Sequence, residues 1–151
     1  MKRLWLVMAL LPAALVVLAG CGGGGETAAE PVELTVTATD IAYDTPHLEA
    51  KAGQPVRVVL DNEGALLHDF SIHEIPLSGE AHAEEAHGDD MASHEAQMSV
   101  AGETLAVHVA AAAGSHGEVE FTPTTPGEYE YYCTVPGHKE AGMVGKITIT
   151  N

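Results

Sequence analysis

Residues 131–146 read Tyr-Tyr-Cys-Thr-Val-Pro-Gly-His-Lys-Glu-Ala-Gly-Met-Val-Gly-Lys. The stretch puts a thiol (Cys133), an imidazole (His138) and a thioether (Met143) on one short loop between two apolar, alternating runs. Soft sulfur stabilises Cu(I) and imidazole nitrogen suits Cu(II), so a trigonal pair of histidines and a cysteine with a weak axial methionine is the ligand set of one-electron blue-copper centres. Such a set needs a second histidine from elsewhere in the chain. His68 can supply it, because it follows the Asp61-Asn62-Glu63-Gly64 turn and opens a run continued by Phe70 and Ile72. Strand alternation puts Cys133 on the same face as Tyr131 and Tyr129, which aims the thiol inward.

Cysteine usage points the same way. The chain has two cysteines in 151 residues. Lys2 and Arg3 precede the apolar run Leu4 to Leu18, which ends in Leu18-Ala19-Gly20-Cys21. This resembles the bacterial lipoprotein signal, in which cleavage before the cysteine leaves it to carry the lipid. The run is shorter than the roughly 20 apolar residues of a spanning helix and contains Pro12, so it reads as a leader (residues 1–20) rather than a retained span. If Cys21 takes the lipid, Cys133 has no disulfide partner in an oxidising compartment, and metal ligation accounts for it. The expected location is the outer face of the cytoplasmic membrane, in the periplasm, with the lipid as the only membrane contact.

The elements that must hold these residues are strands. Residues 21–31 are Gly-rich, then acidic and Ala-rich, without periodic apolar residues, and read as a flexible tether. From residue 32 the pattern alternates: Val32, Leu34 and Val36; Val56, Val58 and Leu60; Phe70 and Ile72; the run Leu105 to Val109; Val119 and Phe121; Tyr129 and Tyr131; Ile147 and Ile149. Turn residues separate the runs, as at Ala52-Gly53-Gln54-Pro55 and Thr125-Pro126-Gly127. Seven or eight short strands in a single all-β domain over residues 32–151 predict a Greek-key β-sandwich. The exception lies at about residues 77–104, where the chain turns to Ala, Glu, Asp, His and Met without Lys or Arg, and reads as a long mobile loop insertion.

With these residues in place, the sequence resembles the cupredoxin family. The spacing Cys133-x4-His138-x4-Met143 with Pro136-Gly137 before the histidine resembles auracyanin, rusticyanin and azurin. The run Gly127 to Cys133 is similar to the strand that leads into the plastocyanin copper ligand, and Asn62 to Phe70 resembles the first-ligand strand. The resemblance covers about residues 32–76 and 105–151. It implies one type 1 copper per chain, held by ring nitrogens of His68 and His138, the Cys133 thiolate and, at longer range, Met143. It also implies a carbonyl from Gly64 on the other axial side. Electrons would pass through His138, ringed by Val135, Pro136, Ala141 and Val144. The family usually has Asn or Ser after the first histidine, bonded across to the residue after the cysteine. Here that pair is Asp69 and Thr134, and a carboxylate near copper favours Cu(II).

The insertion carries His82, His87, Met91, His94 and Met98, which read first as histidines and methionines of a solvated acidic loop, since no rigid spacing fixes their geometry, and otherwise as a secondary copper site. His47, His73, His108 and His116 lie on or beside strands without matching ligand partners and read as ordinary histidines. Loss of Lys2 and Arg3 with the leader leaves four basic side chains against 22 acidic ones, a net charge of −18. That balance excludes nucleic acid and adhesion to anionic lipid. An oxidase or nitrite reductase needs further copper centres, and no His-x-His pair occurs. The expected function is therefore a monomeric electron carrier with protein redox partners such as a cytochrome or an oxidase, not an enzyme. The alternative is copper trafficking through the insertion.

Overall fold

In a computed structural model, residues 29–85 and 104–151 are described. They form ten strands: β1 (Val32–Thr39), β2 (Ala42–Tyr43), β3 (His47–Lys51), β4 (Val56–Asn62), β5 (His68–Ile72), β6 (His82–Glu85), β7 (Val107–Ala111), β8 (His116–Phe121), β9 (Gly127–Tyr132) and β10 (Val144–Thr150). Two five-stranded sheets pack face to face, in the orders β2-β1-β4-β8-β6 and β3-β10-β9-β5-β7. The all-β sandwich inferred from alternation is what the chain adopts.

Each sheet supplies the inward half of its alternating residues to one core. Val36, Val58, Leu60 and Val119 come from the first sheet and Phe70, Val109, Tyr131 and Ile147 from the second, each with at most 1 % of its surface exposed. Two pairings are parallel: β1 on β4, from Val32↔Val56 to Ala38↔Asn62, and β3 on β10. Parallel neighbours cannot be joined by a tight hairpin, so both connections cross between elements.

Three expectations need correction. There are ten strands among the described residues, not seven or eight, because β2, β3 and β6 carry too few apolar residues to register as runs. The segment at 77–104 is not loose from its start: Leu77 bridges Pro123, Ser78 N donates to Thr122 O at 2.9 Å, and β6 pairs antiparallel with β8. Without β6, the β8 edge would present unpaired backbone groups to solvent. Residues 86–103, with His87, Met91, His94 and Met98, lie outside the described residues, as do the leader and Cys21. The run expected at Leu105 to Val109 begins as a strand only at Val107, because Ala106 N is drawn to the carbonyls of Ile72 and His73, at 2.9 and 3.2 Å.

Candidate metal centre

The site forms at one end of the second sheet, where β5 begins and β9 ends. β5 and β9 run antiparallel with Ser71 opposite Tyr132. Carried past the end of β9, that register brings Asp69 opposite Thr134 and His68 alongside the residues that follow Cys133. His68 Nδ1 and Cys133 Sγ lie 4.0 Å apart, and Cys133 Sγ and His138 Nδ1 lie 3.4 Å apart. One ligand atom from each of the three residues lies within 4.8 Å of the other two. The histidine rings sit 5.0 Å apart, tilted by 43°.

Met143 is tied to both neighbours through the backbone. Cys133 N donates to Met143 O at 3.1 Å and Met143 N donates to His138 O at 3.0 Å. Gly137 and Gly142 directly precede His138 and Met143 and have φ of 88° and 101°. Nothing stands within 4 Å of a Cβ added at either. The left-handed backbone, not space, therefore calls for glycine at these positions. These two reversals curl the loop so that both side chains return toward Cys133.

The exposures of the four are graded. His68, Cys133 and Met143 are fully buried, while His138 keeps 6 % of its surface open at the loop end. Burial lowers the pKa of His68, helped by His138 and opposed by Asp69 and Asp40. The Cys133 thiol is pushed up to about 11, first by burial and then by the Asp69 charge, against main-chain hydrogen bonds to the sulfur from Asp69 and Val135. A buried cluster of two imidazoles and a thiol is costly unless something compensates it, and a cation would. The spacing fits one: bonds of about 2.3 Å to sulfur and about 2.0 Å to nitrogen, as for zinc, put S and N about 3.7 Å apart around a trigonal ion. The two observed S···N separations bracket that value.

Asp69 lies on the opposite face of β5 from His68. Its Oδ1 accepts from Thr134 N at 2.8 Å and from Ser71 Oγ at 2.9 Å, and its Oδ2 accepts from Thr134 Oγ1 at 2.6 Å. Asp69 thus holds Thr134 through both its amide and its hydroxyl. Gly64 stands against the other edge of His68. A Cβ there would sit 3.0 Å from His68 Nε2, 3.0 Å from Thr39 O and 3.1 Å from Asn62 Oδ1. A side chain at Gly64 would thus press the ring toward the sulfur.

Three residues that hold the site gave no sign in the sequence. Asn62, fully buried, donates from Nδ2 to Leu66 O at 2.7 Å and Ala111 O at 2.8 Å, and its Oδ1 accepts from Gly64 N at 2.9 Å. It ties down the loop that delivers His68. The Tyr43 hydroxyl, from the other sheet, donates to the Asp69 carbonyl. Ser71 joins Asp69 to His108. No local pattern marks such partners, since each bond spans distant parts of the chain. Leu66 and Leu67, 51 % and 37 % exposed, lie in the turn that leads into His68, and Pro136 and Ala141 are exposed on the loop that carries His138. His82 is exposed on β6, and His47 and His116 are exposed on the sheets, away from the cluster.

Residues 30–150 match the family described as copper binding proteins, plastocyanin/azurin family. The copper-resistant cuproprotein CopI of Pseudomonas aeruginosa is 28 % identical, with 93 % of this chain and 96 % of that protein covered. Auracyanin-A of Chloroflexus aurantiacus is 32 % identical, with 95 % of each chain covered. Among solved structures, auracyanin B superposes with a TM-score of 0.58 at 25 % identity, over 81 % of this chain and 91 % of that one. The family binds a single type 1 copper, and the histidine, cysteine, histidine and methionine group for it is present here. By sequence, by fold and by this cluster of donors, the chain belongs to the plastocyanin/azurin family of copper-binding proteins.

Proposed function

We propose that the chain is a one-electron carrier whose single copper is held by His68 Nδ1, His138 Nδ1, Cys133 Sγ and the Met143 thioether. The observation that carries this reading is the convergence of three ligand atoms within 4.8 Å, with His138 alone reaching the surface. Bound there, copper supplies a Cu(I)/Cu(II) couple. The fold supplies the rest. β5 and the glycine-curled loop after β9 hold the donors in one arrangement, so the ligand set need not rearrange when the charge changes. Full burial of His68, Cys133 and Met143 keeps water out. His138 offers the shortest path outward, within an apolar rim of Leu66, Leu67, Pro136 and Ala141 suited to docking a redox partner protein. Gly64 is assigned a steric role at the Nε2 edge of His68, and its carbonyl stays outside the proposed ligand set.

The same reading takes the chain as exported, cleaved before Cys21, lipidated there and tethered by residues 22–31, with one cupredoxin domain acting as a monomer. The composition of the leader supports it. Copper-loaded protein is expected to show an intense Cys-to-copper absorption and a type 1 paramagnetic resonance signal, both lost in Cys133→Ala. A colourless Cu(II) protein, or a coloured Cys133→Ala variant, would overturn the assignment.

A second reading is favoured by one observation, the likeness to a protein named as copper-resistant: metal capture, with the His/Met segment picking up a further ion. Copper counted per chain separates the two. One tightly held ion supports the carrier. Two or more, with the extra ion lost on deleting residues 86–98 while β6 is kept, supports capture.

A further inference from the structure

Behind Asp69, on the face of the second sheet turned away from the core, a line of polar groups runs from the metal centre into β7. Ser71 and His108 are directly opposite each other in the β5–β7 register, both are buried, and Ser71 Oγ lies 2.9 Å from His108 Nδ1. The same hydroxyl lies 2.9 Å from Asp69 Oδ1. A serine hydroxyl has one proton, and a carboxylate can only accept. The proton must therefore go to Asp69, which leaves His108 Nδ1 as the donor to Ser71. The direction of the whole chain follows: His108 Nδ1–H to Ser71 Oγ–H to Asp69 Oδ1.

We propose that Ser71 and His108 are positioning residues for the copper centre, acting through Asp69. Asp69 follows the ligand His68 in the chain, and its carboxylate grips both the amide and the hydroxyl of Thr134, the residue after Cys133. Two of the carboxylate's donors thus come from the Cys133 side, and the third, Ser71, comes from the interior of the sheet. Ser71 stops the carboxylate from turning about its bond, and His108 stops the hydroxyl from turning away. The same chain spreads part of the Asp69 charge toward β7, which lessens what the metal feels. Ordered hydrogen-bond partners of this kind tune a metal as well as orienting its ligands. The inference rests on the copper reading above.

The test has arms with and without copper. In the copper-free protein, nitrogen NMR of His108 is expected to show the Nδ1–H form. Ser71→Ala is expected to speed amide exchange at Thr134 by at least about fivefold, the worth of one net hydrogen bond, and Ser71→Thr to restore it. His108→Leu should reproduce the loss, whereas His108→Asn, which keeps a donor near the Nδ1 position, should not. In the copper-loaded protein, Ser71→Ala is expected to lower the reduction potential, because a less compensated carboxylate favours Cu(II). That shift should fall to less than about a third in an Asp69→Asn background, as expected of residues acting through one another. A neutral His108 protonated at Nε2 would overturn the proposal, as would a Ser71→Ala shift equal in both backgrounds. If no blue centre forms, the copper reading falls, while the tautomer and exchange arms still decide the hydrogen-bond chain.

Discussion

Asn62→Ala should destabilise this protein strongly, although Asn62 does not itself face the metal. Asn62 ends β4 with no exposed surface, and its amide makes three bonds at 2.7, 2.8 and 2.9 Å, to Leu66 O, Ala111 O and Gly64 N. Alanine removes all three, at about 1 kcal/mol net each. Leu66 and Gly64 lie toward the surface, where water can replace the lost partner, but Ala111 is buried. An orphaned buried carbonyl adds about 1–3 kcal/mol, so the total is about 4–6 kcal/mol. Urea unfolding of the copper-free protein should show this as a lower midpoint with an unchanged slope. Asn62→Asp should be worse at neutral pH, since it sets a carboxylate oxygen against two carbonyl oxygens. It should recover as the pH falls toward the ordinary carboxylate value of about 3.9, and be fully recovered below it, because the proton restores one donor. A loss below about 1 kcal/mol for the alanine variant, or a change confined to the slope, would refute the claim that Asn62 secures the His68 loop.

Asp69→Asn should raise the reduction potential. Its carboxylate is bonded to the residue after Cys133, on the order of 7 Å from the sulfur given about 3.8 Å between neighbouring Cα atoms. At an effective dielectric of about 20, removing that charge is worth about 2 kcal/mol, or about 100 mV for one electron. Voltammetry giving a lower or unchanged value would count against it. Gly145→Ala should destabilise by about 1–3 kcal/mol on thermal or urea unfolding, because the new Cβ overlaps the Tyr131 ring in a full core; parent-like stability would show that the ring can move. For pH, His68 in the copper-free fold binds its proton less readily than the ordinary value of 6.5. The unfolded chain therefore takes up that proton first, and stability falls as pH drops below about 6.5 through the lowered value. His68→Gln should flatten the fall, and an equal slope in that variant would refute the assignment.

Much of the site was legible in the chain because it is local. Cys133, His138 and Met143 are spaced along one loop, and the glycines before His138 and Met143 announce the reversals. Alternation from Tyr129 through Tyr131 correctly turned Cys133 inward, and Tyr131 and Cys133 are fully buried. Alternation also revealed most strands, since one face of each is in the core and the other in water. It missed β2, whose two residues are too few for a period, β3, whose apolar residues are only Leu48 and Ala50, and β6, whose composition is polar.

What the sequence determined by itself was the chemistry on offer: donor types, their local spacing, and the inward face of each strand. Only the tertiary structure decided who meets whom. A two-residue period says which way a side chain points but not which strand lies beside it or in what register. The meeting of His68 with Cys133 therefore depended on β5 pairing with β9, and the Asp69 grip on Thr134 followed from the same register. β5 is buried at every position, so its outward residues Asp69 and Ser71 carried no sign of the enclosed chain they form with His108. Asn62 read as an ordinary turn residue and Tyr43 carried no sign at all for the same reason: their partners are distant in sequence and become neighbours only when the sandwich closes.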